Sequence, residues 1–226
     1  IAAEQGKTDG DDINSGDDKV TDDSIDDVGL YDDWEYEITN NEVCINGYTG
    51  NKTDIEIPDT IEGYSVTSIG EYAFYSCYNL SNIVIPDSVT SIGDSAFRYC
   101  SSLSSVTIPD SVASIGESAF YYCSSLTSVT IPDSVTSIGQ GAFAECESLV
   151  AINVSENNNA FSSGEGVLFN KDKSHLIKYP VRKENSEYSI PDSVTSIGDS
   201  AFSGCGSLRS ITIPDGVTYI GEAMFN

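Results

Sequence analysis

Six cysteines, a single histidine and a recurring aspartate are the residues of this chain whose types and spacing could carry chemistry. Cys77, Cys100, Cys123 and Cys146 recur every 23 residues. In a stacked repeat such a period places like residues in a column, with successive turns about 4.8 Å apart. An even cysteine count also suits a disulfide framework in an exported chain. The turn spacing is within Cα reach of a bridge, but parallel side chains hold the Cβ atoms just beyond the usual ~3.8 Å. The expectation is therefore a ladder of free, buried thiols, each filling its turn and donating weakly to a backbone carbonyl. Cys205 lies two turns past Cys146, about 10 Å away at the same spacing, and Cys44 falls outside the period. No C-x-x-C pair offers the usual spacing for zinc.

The histidine, His175, would be the base for any serine or cysteine nucleophile. It sits among Lys171, Lys173 and Lys178, with no carboxylate spaced to orient it, and reads as a surface residue in an exposed turn. An aspartate follows every Ile-Pro pair, at Asp59, Asp87, Asp110, Asp133, Asp192 and Asp215. Stacked, these could collect Ca²⁺, but turn chemistry alone accounts for Asp there. Neither a calcium loop nor a glycine-rich nonapeptide repeat occurs. The segment Asp12 to Asp17 is similar to the start of a calcium loop, with its glycine one position early and the closing Glu missing. The residues thus lead us to expect no catalytic site, no metal and no cofactor.

Tyrosines offer recognition instead. Tyr75, Arg98 and Tyr121 share one column of the 23-residue period, and Tyr99 and Tyr122 the next; Tyr78 flanks Cys77. Tyrosine supplies broad amphipathic contact area at low entropy cost, and with Arg it is enriched at interface hot spots. Later turns carry Ala144, Glu145, Ser203 and Gly204 at these positions. A need to cover core surface would recur in every turn, so Tyr75, Tyr78, Arg98, Tyr99, Tyr121 and Tyr122 form the candidate ligand-binding set. A second candidate surface lies between residues 155 and 189, which hold five of the eight basic residues outside the N-terminal tail.

The elements that position these groups follow from the repeat. Pro86, Pro109 and Pro132 are 23 apart, as are Pro191 and Pro214. One copy runs Leu103, Val106, Ile108, Pro109, Asp110, Val112, Ile115, Gly116, Ala119, Phe120, Cys123. Val106 and Ile108 alternate with Ser105 and Thr107, the pattern of a short strand buried on one side. Pro109 cannot continue a hydrogen-bond ladder and ends that strand. Ala119, Phe120 and Cys123 have the spacing of one face of a helical turn. No repeat can bury its own apolar edge, so copies must stack and share a core. The predicted fold is a right-handed α/β solenoid with one short parallel strand and one short helical turn per repeat.

Two turns depart from the period. Five extra residues fall around Glu62-Gly63-Tyr64, and one turn is 36 residues long, from about 155 to 189. In the latter, two apolar runs flank Asn170-Lys171-Asp172-Lys173-Ser174, which predicts a protruding β-hairpin. Residues 1–33 hold twelve Asp or Glu against two Lys and few large apolar groups, the composition of a disordered acidic linker. From Trp34 an alternation through Ile38, a turn at Asn40-Asn41 and a second run through Val43 and Ile45 predict a hairpin capping the repeat domain, 34–226. That domain stops mid-repeat, which reads as an unfinished boundary with an open edge.

The template L-x-x-V-x-I-P-D-S-V-T-S-I-G-x-x-A-F-x-x-C-x-S-L resembles the BspA-like leucine-rich repeat family of bacterial surface proteins. The resemblance covers about residues 34 to 226, and Gly166-Val167-Leu168-Phe169 with Leu176-Ile177-Lys178-Tyr179-Pro180 is similar to that family's long-repeat variant. It implies a secreted or cell-wall-attached protein that adheres to host proteins or other cells. All the matching residues are scaffold, so it transfers no catalytic residue.

With 36 acidic and 10 basic residues, the net charge of −26 opposes binding to nucleic-acid phosphates or anionic lipid. No apolar run is long enough to insert into a membrane. The sequence therefore points to a non-catalytic binding module outside the cell, with an extracellular protein or glycan as partner. The competing reading is a structural spacer, or the repeat region of a larger secreted enzyme.

Overall fold

The computed structural model describes residues 27–225; the expectations for the acidic tail, including the calcium-loop-like segment, fall largely on 1–26, outside the described residues. The chain opens with β1 (Asp27–Tyr31), β2 (Trp34–Thr39) and β3 (Glu42–Tyr48), three antiparallel strands. The predicted cap is therefore one strand larger than the alternation from Trp34 implied, and that strand takes the last residues assigned to the linker. The turn between β2 and β3 is Asn40-Asn41, with φ of 54° and 64°. Asparagine tolerates this left-handed region better than most residues.

The coils that follow contribute β4 (Asp54–Glu56), β5 (Thr60–Ile61), β6 (Tyr64–Ile69), β7 (Asn82–Val84), β8 (Ser91–Ile92), β9 (Ser105–Val106), β10 (Ser114–Ile115), β11 (Ser128–Ile131), β12 (Ser137–Ile138) and β13 (Ala151–Val154). Each regular coil thus carries two strand segments where one was expected. The Val/Ile run gives β7 and β9, and the Ser-Ile pair before each glycine gives β8 and β10. The Ser-Ile strands continue the cap in one sheet, ordered β1-β2-β3-β6-β8-β10-β12. The expected columns are buried in one core, including Val106 with Val129 and Ile108 with Ile131, and the strand pairs between coils are parallel.

The helical turn is absent: the described residues contain no helix. Around Ala119-Phe120, both Ser118 and Tyr122 have positive φ, 54° and 60°. A left-handed residue costs about 1–2 kcal/mol and breaks any right-handed run. What replaces the helix is a second inter-coil ladder. The amides of Ser118, Phe120 and Tyr122 donate to the carbonyls of Gln140, Ala142 and Ala144 in the next coil. Alternate amides bond across coils while those between them close local turns, as Tyr121 does to Ser118. Stacking here satisfies backbone groups that a helix would have satisfied internally.

Behind this ladder Phe74, Phe97, Phe120 and Phe143 stack at 4.9, 5.1 and 5.5 Å with nearly parallel rings, and Trp34 of the cap closes the row 6.1 Å from Phe74. The long coil then forms β14 (Phe161–Gly164), β15 (Val167–Asn170) and β16 (His175–Lys178). The β15–β16 hairpin forms as predicted but does not protrude. Val167, Leu168, Phe169, Leu176 and Tyr179 are buried, because the hairpin is inserted edgewise into a second sheet, β14-β15-β16, completed by later strands. The chain ends through β17 (Glu187–Ser189), β18 (Ser196–Ile197), β19 (Ser210–Thr212) and β20 (Tyr219–Ile220), with β18 and β20 extending that sheet. A second core cluster accompanies it.

Candidate functional site

Five of the six predicted contact residues converge. Tyr75 packs against Tyr99 at 5.6 Å between ring centroids; Tyr99 lies 5.8 Å from Tyr121 and 5.6 Å from Tyr122. Arg98 lies over two of these rings, its guanidinium 5.1 Å from the Tyr99 centroid and 4.6 Å from that of Tyr121. Cation–π contacts of this kind stabilise by about 0.5–2 kcal/mol. Arg98 also donates from Nη2 to the Tyr99 hydroxyl at 3.4 Å, which raises the guanidinium above its ordinary range, while its buried Nε has no partner. Burial, with the Glu145 charge nearby, raises the Tyr121 phenol. Tyr75 and Tyr122 remain exposed at the patch surface. Tyr78 joins none of these ring contacts; it is exposed beside a hollow that it shares with Tyr75, Tyr48 and Lys52, at the edge of the patch. Sequence reasoning missed Tyr72. It occupies the left-handed position that holds Ser in three later coils, and its ring packs 5.5 Å from Tyr75, extending the patch.

The thiol ladder forms as expected. The Sγ atoms of Cys100, Cys123 and Cys146 donate to the carbonyls of Phe74, Phe97 and Phe120 in the preceding coils, at 3.1, 3.2 and 3.2 Å. Cys77 and Cys205 are only half-buried, and Cys44 bonds the side chain of Asn46. The Asp column after each Ile-Pro is exposed.

His175 corrects the sequence reading: it opens β16 instead of sitting in an exposed turn. Its Nδ1 is 2.7 Å from Ser196 Oγ, and burial lowers its pKa. The nearby Asp199 is engaged by the Gln140 side chain and by the Glu222 amide, so it does not orient the imidazole as a catalytic carboxylate would. Lys178, one of the five basic residues of the second candidate surface, is not at the surface; it is buried, donating to the carbonyls of Ser200 and Ser203, and burial lowers its pKa.

A model of the BspA type leucine-rich repeat region matches this chain in six copies, over residues 46–175 and 182–226. The chain belongs to the BspA-type leucine-rich repeat family. Solved structures agree. A leucine-rich repeat protein from Eubacterium ventriosum is 29% identical with a TM-score of 0.66, over 86% of this chain and 61% of that one, so this chain spans about three-fifths of its length. One from Bacteroides capillosus is 33% identical with a TM-score of 0.52, over 57% of this chain and 98% of that one. The pneumococcal vaccine antigen PcpA, at 21% identity and a TM-score of 0.61 over 88% of this chain and 67% of that one, shares the fold. No curated protein matches the sequence.

Among this chain's own repeats, the tyrosines and Arg98 fall at positions that change from coil to coil beside the recurring Ala-Phe pair, while the thiols recur with the period. The family match is interrupted at 176–181, within the long coil, where Lys178 is buried and the regular turn is cut short.

Proposed function

We propose that this BspA-type repeat domain is a non-catalytic binding module of a secreted or cell-surface bacterial protein, and that its contact surface is the tyrosine–arginine patch. The observation that carries the reading is Arg98, lying over the rings of Tyr99 and Tyr121 beside exposed Tyr75 and Tyr122. The side chains are held by one another before any partner arrives, which lowers the entropy cost of binding. The patch is confined to consecutive coils and gives way to Ala144 and Glu145, whereas a spacer would need no such local difference. The high negative charge suits a soluble, exported domain and argues against nucleic acid and anionic membrane as partners. An extracellular protein or a glycan on another surface fits the patch.

The test is a binding screen on immobilised extracellular-matrix proteins and glycans, followed by variants. Tyr99→Ala and Tyr121→Ala should each weaken the captured interaction by about 1 kcal/mol or more with unchanged circular dichroism. Full-strength binding by the double variant would reject the patch as the contact surface.

A further inference from the structure

The inter-coil ladder on the turn face breaks at one place. The amides of Ser95, Phe97 and Tyr99 donate to Glu117, Ala119 and Tyr121, and those of Ser118, Phe120 and Tyr122 to the coil beyond. The matching amides one coil later, Gly141, Phe143 and Glu145, make no such bonds. The cause is the long coil. Its strand pairs His175 with Ser196 and Leu176 with Ile197, and its Tyr179 stacks on Phe202 at 5.2 Å. Between Ile177 and Tyr179 there is one residue, where the next coil has Asp199-Ser200-Ala201 between Gly198 and Phe202. The turn is two residues short and draws back.

A cleft of about 560 Å³ is left between the coils, within the range of small-molecule sites. Ile138 is half-buried in it, whereas its counterparts Ile69, Ile92 and Ile115 are each 1% exposed. Contacts between the flanking coils close the cleft at both ends of the turn, Gln140 to Asp199 at one and Ser203 to Glu145 at the other. A compartment closed this way suits a compact ligand better than a threaded peptide strand.

We propose that this cleft binds a neutral saccharide bearing an N-acetyl group, at a site separate from the tyrosine patch. Its lining mixes donors and acceptors: the free Gly141 amide, the Gln140–Asp199 pair, whose oxygens can each accept a further bond, and the His175 ring, whose Nδ1 already meets Ser196. An anion would meet Asp199 and the strongly negative chain, and a cation would meet the Lys178 ammonium. Hydroxyls and a secondary amide, which both donate and accept, match the lining without adding charge. An acetamido group suits it part by part. Its carbonyl can take the Gly141 amide, its N–H can reach a carboxylate, and its methyl finds the apolar wall of Ile138, Phe161 and Ile177. Exposed Tyr219 at the rim offers a ring face for a sugar's C–H groups.

Saturation-transfer-difference NMR on the whole chain tests this with four probes: N-acetylglucosamine, N-acetylgalactosamine, glucose and an N-acetyl-alanine methylamide. The expected result is transfer to at least one amino sugar, strongest at the acetyl methyl, and at least several-fold weaker transfer to glucose and to the blocked amino acid. The signal should fall several-fold in Ile177→Trp, which fills the cleft, and in Asp199→Asn, whose Oδ1 can still accept from the Glu222 amide. It should persist in Tyr121→Ala. Silence from both amino sugars, equal transfer to glucose, stronger transfer to the blocked amino acid, or an unchanged signal in both cleft variants with native circular dichroism would each overturn the assignment.

Discussion

The thiol of Cys123 sits where a larger or more polar group would be costly: it is fully buried, and its one polar partner is the Phe97 carbonyl of the preceding coil. Burial pushes the Cys146 thiol up to about 12 and the Cys205 thiol to about 11, from an ordinary value of 9.0. A raised folded pKa means that unfolded chains release these protons first as pH rises. The stabilisation by neutral thiols is therefore complete below about pH 9 and is lost between pH 9 and about 12. Thermal melts should show a midpoint steady from pH 7 to about 8.5 and falling above pH 9, with a shallower alkaline fall in Cys146→Ala. An alkaline slope identical in that variant would remove the thiol from the explanation. Replacing Cys100 by Ser should destabilise by a few tenths to ~2 kcal/mol, since a hydroxyl is costlier to bury than a thiol. The period alone made this column legible. Asn158 was not legible: fully buried, its Nδ2 donates to the Pro132 and Val135 carbonyls and its Oδ1 accepts from the Ala160 and Phe161 amides. Nothing in the run Asn157-Asn158-Asn159 singles out the one that folds inward.

Single elements show why the sequence reading of the turn went wrong. The spacing of Ala119, Phe120 and Cys123 is common to a helical face and to this two-ladder turn, so periodicity could not separate them. The separating property is backbone conformation, the positive φ at Ser118 and Tyr122, which side-chain type does not announce when the residue is not glycine. The second strand per coil was hidden for a related reason: Ser114–Ile115 is too short to show alternation, and only stacking with Ser91–Ile92 and Ser137–Ile138 makes it a strand. The glycine that follows serves close approach between coils. A Cβ on Gly139 would stand 2.3 Å from the Glu117 amide nitrogen, and one on Gly116 2.5 Å from that of Asp94, both backbone atoms that cannot step aside. Gly206 has open space around its position. Gly139→Ala should therefore cost about 2 kcal/mol or more by prying adjacent coils apart, while Gly206→Ala should stay within about 0.5 kcal/mol of the parent. Urea titrations of the two variants check this, and equal midpoints would show that the coils can shift to admit a methyl group.

As a whole the molecule is two stacks joined at the long coil. The first sheet ends at β12, the aromatic row loses its regular stacking after Phe143, and the buried side chains divide into two clusters at the same place. In a solenoid, stability is close to a sum of coil terms and nearest-neighbour interface terms, so one weak interface divides an otherwise cooperative array. The polar contacts that cross the junction are the Ile152 amide to the Gly166 carbonyl, the Val154 amide to Ser163 Oγ, the Arg182 amide to the Leu149 carbonyl, and the Gln140–Asp199 and Ser203–Glu145 contacts beside the cleft, while Phe161 and Leu168 of the second sheet reach into the first core. The two sides also differ in apolar content. The first core runs from Trp34 to Leu168 with the continuous phenylalanine stack, whereas the second is smaller. Sub-global opening should follow this division. Native-state hydrogen exchange should find the amides of β6, β8 and β10 opening only with global unfolding, and those of β18 and β20 exchanging in a separate, lower-energy step. Strengthening the junction should merge the two steps, and N-acetylglucosamine should do so if the cleft holds it, because a ligand bound across both stacks stabilises their contact by mass action. A single exchange free energy shared by β8 and β18 without ligand would mean that the junction transmits stability fully. The shortened turn at Lys178 would then be a local irregularity and not a boundary between folding units.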